Sequence, residues 1–232
     1  MKKKQNIVAL IPARGGSKSI PEKNLSILGN KTLLKWTIDV ALECSIINRV
    51  IVSTDNLKIK QVALKEGAEV YDRPSYLASD KSLVIDTIRY LYKILNSEGN
   101  KIDIMILLEP TSPFRDANLI KKCVDDMVFE NLDSIATFHK AEIHPEKTWL
   151  IKERRPVTFI NKVDPWTPRQ ALSDVYQLNG LVYAFNPSKL PKKNKGLLFG
   201  SSRAEIVDNK KVIDINDEID LIIANVMLDK LK

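Results

Sequence analysis

Hydrophobic residues along the chain follow two alternating patterns. Short continuous apolar runs predict buried strands, and the stretches between them, with apolar residues at helical spacing, predict amphipathic helices. The predicted strands are residues 7–13, 49–54, 68–71 and 103–108, and the predicted helices are residues 32–45, 57–66 and 83–95. This alternation indicates repeated βαβ units with right-handed crossovers, and therefore an α/β fold built on a mostly parallel sheet.

The second half of the chain departs from this alternation. Short β-like segments at residues 134–138 and 157–160 stand among several prolines, and residues 178–185 are a further strand candidate. We expect one domain over residues 1–232, with a small β-rich excursion at about residues 139–174. An amphipathic helix over about residues 217–231 is expected to close the chain.

Ligands of such sheets bind beyond the carboxyl ends of the strands, so polar residues at those ends are candidates for a site. The segment after the first strand reads ARGGSKSIPEKN. Gly15 and Gly16 let the backbone turn its N–H groups inward, and Arg14, Lys18 and Lys23 surround the same space with positive charge. The pattern favours a loop that binds a polyanion, and a basic surface loop without a ligand is the alternative.

The sequence disfavours several familiar classes of protein and kinds of site. The loop lacks GxxxxGK[ST] and GxGxxG, which argues against a P-loop NTPase and a dinucleotide-binding Rossmann domain. Cys44 and Cys123 are the only cysteines, so neither a disulfide framework nor a structural zinc site is expected.

The net charge of +7 permits nucleic acid or an anionic membrane as a partner but equally suits an enzyme with anionic substrates. The two cysteines suit a reducing cytoplasm, and the apolar run before Arg14 is too short for a signal peptide, so we expect a cytoplasmic protein. We expect neither nucleic acid nor a membrane as a partner.

The ordered motifs resemble the CMP-sialic acid synthetase family of nucleotidyltransferases. The loop is similar to the family's ARGGSKGIPxKN, with Ser19 in place of a glycine, and the later matches are VSTD, RP, LASD, LLEPTSPFR, HPEK, PRQ and NGLVY. The resemblance implies a Rossmann-like three-layer fold with a mixed sheet and a β-rich dimerisation arm. It also implies transfer of CMP from CTP to the anomeric hydroxyl of a nine-carbon acidic sugar, such as a sialic or legionaminic acid, with release of pyrophosphate.

The resemblance implies a nucleotide site at the first strand's loop. Its residues would be Arg14, Gly15, Gly16, Ser17, Lys18, Lys23, Asn24, Arg73 and Ser82. Within this set the cations would hold the triphosphate, Asn24 the ribose and Arg73 the cytosine, and Arg14 and Lys23 would be catalytic together with Asp214. Val84 stands where relatives carry a small hydroxyl residue near the base, so the base contact must rely on other groups.

A magnesium site is implied near the carboxyl end of the chain. Relatives read DID where this chain has Asp214 and Asn216, and the two aspartates of that motif hold Mg²⁺. One carboxylate with phosphate oxygens could suffice, with the Asn216 carbonyl as a neutral ligand. Asp217 is an alternative ligand, although Asp217 and Glu218 are expected rather to favour the positive end of the last helix. Asp55, after the second strand, could cap the helix that follows it.

The implied sugar site draws on an arm exchanged between the subunits of a homodimer. Its residues would be Glu109, Lys147, Arg169, Gln170, Asn179 and Tyr183, with Gln177 where some members have an arginine. Glu109 replaces a glutamine of members that act on N-acetylneuraminate. Because a carboxylate only accepts hydrogen bonds, we expect preference for a sugar with more donors, such as legionaminic acid. Pairing of Glu109 with Arg115 is the alternative.

Three other functions stay open from the sequence. The first is CMP activation of the eight-carbon sugar acid of lipopolysaccharide. The second is a glycosyltransferase that uses a nucleotide sugar, although no DxD motif lies within the main sheet to hold one. The third is an inactive nucleotide-binding regulator, which Asn216 would be compatible with because it removes a metal-binding carboxylate.

Overall fold

A computed structural model of the chain describes residues 5–99, 101–193 and 196–231. The strands are β1 Ile7–Pro12, β2 Ile27–Leu28, β3 Lys31–Thr32, β4 Arg49–Thr54, β5 Glu69–Asp72, β6 Ile104–Leu107, β7 Ser134–Lys140, β8 Trp149–Lys152, β9 Arg155–Thr158, β10 Tyr176–Phe185 and β11 Ser202–Ile206. The helices are α1 Leu33–Glu43, α2 Leu57–Lys65, α3 Val84–Ser97, α4 Ala117–Phe129 and α5 Glu218–Leu231. None of the helices in these ranges is long and apolar enough to cross a membrane.

The central sheet confirms the predicted α/β architecture. In the described part of the chain it has seven strands in the order β11-β7-β10-β6-β1-β4-β5. Strands β6, β1, β4 and β5 pair in parallel, as do β11 and β7. Strand β10 runs antiparallel to both β6 and β7, which makes the sheet mixed.

The first strand is buried on both faces. Ala9 and Ile11 belong to one apolar cluster, with residues of α1, α2 and α4, whereas Val8 and Leu10 belong to a second cluster with residues of α3. Successive side chains of a strand point to opposite faces, so only a continuous apolar run can serve both clusters. Helices therefore cover both faces of the sheet, and the fold has three layers.

The sequence does not predict helix α4, strand β11 or the short strands β2, β3 and β8. Helix α4 carries a readable signal, because the Asp116 carboxylate accepts a hydrogen bond from the Leu119 N–H at 2.8 Å and so caps the first turn. Strand β11 carries no apolar run, and its residues alternate between exposed and half-buried along the edge of the sheet. Pairing with β7 forms this strand, and such pairing is not visible in local sequence.

The excursion predicted at about residues 139–174 contains a hairpin, β8 paired with β9, as a sheet of its own. Much of its apolar surface is exposed. Trp166 is 82% exposed and Phe159 is 60% exposed, although Trp149 and Trp166 approach each other with ring centroids 6.4 Å apart. We call residues 139–174 the arm.

One buried cation joins three parts of the fold. The Arg115 guanidinium donates hydrogen bonds to the Leu181 carbonyl at 2.6 Å and to Thr37 Oγ1 at 3.1 Å, and also to the Glu109 carbonyl. These acceptors belong to β10, to α1 and to the segment after β6. The planar guanidinium, with five donors, can serve all three at once.

Replacing Arg115 with Met should lower the free energy of unfolding by roughly 2–5 kcal/mol, because buried acceptors lose their donors. Urea unfolding followed by circular dichroism measures the change. The matched control is Arg203→Met, which removes a half-buried surface arginine paired with Glu130 and Asp126 and should cost about 1 kcal/mol or less. Equal losses in the two variants would contradict this role of Arg115.

Candidate functional site

The loop after β1 is fixed to the end of β4. The Gly15 N–H donates a hydrogen bond to Asp55 Oδ1 at 2.9 Å. A Cβ atom at Gly15 would lie 2.7 Å from the side-chain nitrogen of Asn56, so the close approach requires glycine. Helix α2 is capped by Asn56, whose Oδ1 accepts hydrogen bonds from two backbone N–H groups of the first turn. The capping role considered for Asp55 is therefore wrong, because Asp55 instead holds the loop.

Two of the predicted phosphate-binding cations share one carboxylate. Arg14 Nη1 lies 3.0 Å from Asp80 Oδ1, and Lys18 Nζ lies 2.6 Å from Asp80 Oδ2. The pKa of Asp80 is lowered, first of all by its hydrogen bond from Lys18. Asp80 is a site residue that was not predicted, although the LASD motif that contains it was a readable signal. An anion entering here would compete with Asp80 for both cations.

The third cation reaches the segment that carries Asp214. Lys23 Nζ donates hydrogen bonds to the carbonyl oxygens of Ile215 at 3.1 Å and Asn216 at 3.2 Å. The Ser19 hydroxyl also donates to the Asn216 carbonyl. The loop after β1 is thereby connected to residues that lie almost two hundred positions later in the chain.

These cations line a cleft of about 460 Å³ at the carboxyl ends of the parallel strands. Of the residues predicted to bind the nucleotide, the cleft brings together Arg14, Gly16, Ser17, Lys18, Lys23, Asn24, Arg73 and Ser82. Gly15 is not part of the lining, and its N–H is directed at Asp55. The amide nitrogen of Asn24 donates one of its two N–H groups to the Arg14 carbonyl at 2.9 Å, so the side-chain oxygen and the second N–H are left for a ligand.

Arg73 and Ser82 occupy the part of the cleft predicted to hold the base. Arg73 is 8% exposed, and its Nη2 donates to the Ser53 carbonyl at 3.0 Å. Burial, opposed by the charge of Asp55, lowers the pKa of Arg73 to about 10, so the guanidinium stays charged at neutral pH. The Ser82 hydroxyl donates to the Tyr76 carbonyl at 2.7 Å, and its oxygen accepts from the Ser79 hydroxyl at 2.7 Å, which leaves one lone pair for a ligand.

A second cavity of about 860 Å³ adjoins the cleft, and Glu109 lines both. The predicted sugar-binding residues Asn179 and Tyr183 line this cavity. Asn179 Oδ1 accepts from the Thr137 hydroxyl at 2.6 Å, while its buried amide nitrogen has no hydrogen-bond partner within the described ranges. That nitrogen is therefore a donor available to a ligand.

Glu109 has room beside β10 only because of a glycine. Gly180 has a φ of +72°, and a Cβ atom there would lie 2.6 Å from Glu109 Oε2. Burial, and then the charge of Asp214, raise the pKa of Glu109 to about 7. Arg115 binds the backbone carbonyl of Glu109, and its charge partly opposes the rise in the pKa of Glu109. No direct ion pair joins the two side chains among the residues described, so the alternative pairing of Glu109 with Arg115 is met through the backbone carbonyl and through charge only.

The predicted metal residues are adjacent in the second cavity. Asn216 Nδ2 donates a hydrogen bond to Asp214 Oδ2 at 3.0 Å. Asp214 therefore offers a carboxylate to a cation, whereas Asn216 would have to turn its amide to offer an oxygen. No cluster of three His, Cys, Asp or Glu residues suited to a metal occurs in the described part of the chain. The donor set fits Mg²⁺, which is commonly held by one or two carboxylates together with substrate phosphates and water.

Asp217 caps the start of α5, as expected. Its Oδ1 accepts a hydrogen bond from the Asp220 N–H at 3.0 Å.

The arm residues Lys147, Arg169 and Gln170 line neither cavity of their own chain. Lys147 Nζ instead donates to the carbonyls of Pro165 and Thr167 within the arm.

Comparison with known proteins decides the family to which this site belongs. A family model described as cytidylyltransferase matches residues 8–150. The chain belongs to the cytidylyltransferase family. Relatives named for sialic, legionaminic and pseudaminic acids confirm the predicted resemblance to CMP-sialic acid synthetases.

Three relatives illustrate the similarity. The N-acylneuraminate cytidylyltransferase of Escherichia coli O18:K1:H7 is 29% identical over 94% of this chain and 51% of its own length. The CMP-N,N'-diacetyllegionaminic acid synthase of Legionella pneumophila is 42% identical over 51% of this chain and 52% of its own. The pseudaminic acid cytidylyltransferase of Campylobacter jejuni is 26% identical over 95% of each. The chain thus spans about half the length of the first of these relatives.

Solved structures share the fold. A CMP:2-keto-3-deoxy-manno-octonic acid synthetase complexed with CTP superposes with a TM-score of 0.70 at 17% identity, covering 98% of this chain and 100% of the other. A 4-diphosphocytidyl-2C-methyl-D-erythritol synthase from Anaerococcus prevotii gives a TM-score of 0.62 at 16% identity, with the same coverage. The Rossmann-like nucleotidyltransferase architecture is thereby confirmed.

The raised pKa of Glu109 predicts how stability depends on pH. Between the ordinary value of 4.5 and the folded value of about 7, the folded state binds more protons than the unfolded state. The free energy of unfolding should therefore fall as pH rises through this interval. Glu109→Gln removes the effect and should gain about 1–3 kcal/mol relative to wild type between pH 5 and pH 8. Urea unfolding in EDTA at the two pH values measures this gain.

The control for this experiment is Glu142→Gln, which removes an exposed carboxylate from the same cavity. Its stability relative to wild type should change little between the two pH values. A pH-dependent gain in Glu142→Gln that equals the gain in Glu109→Gln would contradict the assignment to Glu109.

Proposed function

We propose that the chain is a CTP-dependent nucleotidyltransferase that activates a nine-carbon acidic sugar as its CMP derivative and releases pyrophosphate. The observation that carries this proposal is the cleft in which Arg14, Lys18 and Lys23 meet at the ends of parallel strands. Three cations on one loop match the charge of a triphosphate. Membership of the cytidylyltransferase family supports cytidine as the nucleoside.

In the proposed reaction the residues mainly bind and orient two anions. The triphosphate would replace Asp80 as the partner of Arg14 and Lys18. The anomeric hydroxyl of the sugar attacks the α-phosphorus of CTP, the bond to the β-phosphate oxygen breaks, and pyrophosphate leaves. Such a transfer depends on positioning and on stabilising negative charge, so no covalent nucleophile is required.

The catalytic set in this proposal is Arg14, Lys23 and Asp214. Lys23 hydrogen bonds the backbone beside Asp214, so the loop that holds phosphate and the carboxylate that would hold metal are mechanically linked. Mg²⁺ held by Asp214, with Asn216 as a second oxygen ligand, would neutralise the phosphates and the departing pyrophosphate.

The sugar is assigned to the second cavity because Glu109 joins it to the nucleotide cleft. A hydroxyl held there would face the phosphates across that residue. Asn179 contributes a free donor, and Glu109 contributes an acceptor. The similarity to a CMP-N,N'-diacetyllegionaminic acid synthase supports a diamino sugar acid.

The proposal includes a homodimer in the cytoplasm. Exposed tryptophan and phenylalanine side chains on the arm form an apolar surface of the kind that marks protein interfaces. Lys147 and Arg169 lie on this arm away from both cavities, so they would reach the sugar site of the partner. Cys44 and Cys123 are free buried thiols, which suits a reducing compartment.

Replacing Arg14 or Lys23 with Ala should reduce kcat/KM by about 100-fold or more, because each removes a cation from developing negative charge. Pyrophosphate release with CTP, Mg²⁺ and sugar measures turnover, and thermal unfolding checks that the variants fold. The matched control is Lys58→Ala, which removes an exposed lysine paired with Glu22 near the loop but outside the cleft. Undiminished turnover in both variants would refute the assignment.

Sedimentation at micromolar concentration should give twice the mass of one chain. Trp166→Glu should shift the protein to monomers and lower turnover, because the substitution charges the exposed surface of the arm. CTP binding should be unchanged, since the nucleotide cleft is formed within one chain. A wild-type protein that is monomeric and fully active would contradict the shared sugar site.

The wild type should have a higher kcat/KM for N,N'-diacetyllegionaminic acid than for N-acetylneuraminate. At pH 8, where Glu109 is mostly ionised, Glu109→Gln should shift this ratio toward N-acetylneuraminate by roughly tenfold, because the amide donates hydrogen bonds and the carboxylate does not. A panel that adds pseudaminic acid and the eight-carbon acid tests the remaining substrates. If N-acetylneuraminate is the best substrate and the substitution leaves the ranking unchanged, Glu109 does not select the sugar.

A further inference from the structure

A hydroxyl group on α3 is buried without a hydrogen bond. Thr87 is 1% exposed, and within the described residues its Oγ1 has no partner. Burial of an unpaired hydroxyl is unfavourable, and most buried side-chain oxygens in proteins have a partner. Thr37 shows the common arrangement, because its hydroxyl donates to the Leu33 carbonyl one turn earlier in α1 and accepts from Arg115. The unpaired hydroxyl of Thr87 therefore either binds a ligand or lowers the stability of the fold.

Thr87 lines the nucleotide cleft. It follows Val84 by three residues on α3, so the two side chains occupy the same face of the helix. Leu77 and Leu83 line the same cleft, as does Arg73. The cleft thus has apolar side chains as well as charged and polar ones, and apolar side chains suit a flat heterocycle better than a phosphate. The phosphate-binding cations come from the loop after β1 instead.

Arg73 alone cannot satisfy the edge of a cytosine. A guanidinium only donates hydrogen bonds, whereas cytosine presents an exocyclic amino group that also donates. An acceptor is needed beside that amino group. The Thr87 oxygen has no partner among the described residues, whereas Ser82 Oγ already accepts from Ser79. Val84, one turn earlier, has no polar side-chain atom.

We propose that Thr87 Oγ1 hydrogen bonds to the cytosine base of the bound nucleotide, with the hydroxyl oxygen accepting from the exocyclic amino group. This assignment rests on the proposed function, because it takes the cleft to be the CTP site. Thr87 then acts as a specificity-determining residue that compensates for the apolar side chain of Val84.

The test compares Thr87→Val with Thr87→Ser. Valine removes the hydroxyl at nearly constant volume, whereas serine keeps it. Calorimetric titration of each protein with CTP and with inorganic tripolyphosphate separates contacts to the base from contacts to the phosphates. We expect Thr87→Val to weaken CTP binding by roughly fivefold to tenfold, in line with the loss of one hydrogen bond, and to leave tripolyphosphate binding unchanged. Thr87→Ser should bind CTP within about twofold of wild type.

Stability provides a second measurement. Because the buried hydroxyl is unpaired without ligand, the ligand-free Thr87→Val protein should have a melting temperature equal to or above that of wild type. If wild type binds CTP and Thr87→Val binds it equally well, the inference is overturned. Equal weakening of CTP and tripolyphosphate would also overturn it, because the base would then not be the group contacted. A wild type that binds tripolyphosphate but not CTP would overturn the proposed function and this inference together.

Discussion

The structure depends first on the burial of β1 on both faces. Val8 and Leu10 pack against one layer of helices while Ala9 and Ile11 pack against the other, so the strand cannot shift along its neighbours without exposing apolar surface. The polar loop that follows must therefore leave the core at a fixed point. The first residues of the loop are then held in place by the hydrogen bond from the Gly15 N–H to Asp55, which follows the end of β4.

Because the loop is fixed in this way, its cations lie close together at the carboxyl ends of the parallel strands, and their charges must be balanced. Cations held close together repel one another, and here the carboxylate of Asp80 offsets Arg14 and Lys18. A polyanion can take over the same contacts, so the arrangement suits exchange of one negative partner for another. Like charges meet at Glu109 and Asp214, which share a cavity. Burial first, and then the charge of Asp214, raise the pKa of Glu109 to about 7. A divalent cation near Asp214 would relieve that repulsion.

Local sequence was sufficient for the features that depend on local chemistry. The continuous run of β1, the helical spacing of α1 to α3 and the glycines of the loop follow from periodicity and sterics, and the structure gathers most of the predicted nucleotide residues in one cleft. Features that depend on distant partners could not be predicted in this way. Strand β11 exists through its ladder with β7, and Asp55 binds Gly15 from forty residues away rather than capping the adjacent helix. The unpaired hydroxyl of Thr87 is likewise visible only once its surroundings are known.

In the proposed reaction CMP, rather than phosphate or pyrophosphate, is transferred from CTP. The most direct measurement follows the label from CTP that carries ³²P at the α or at the γ position, with Mg²⁺ and a nine-carbon sugar acid. We expect the α label to enter a CMP-sugar and the γ label to appear in pyrophosphate. Appearance of γ label as inorganic phosphate with α label in CDP, or α label unchanged in CTP with every sugar tested, would contradict it.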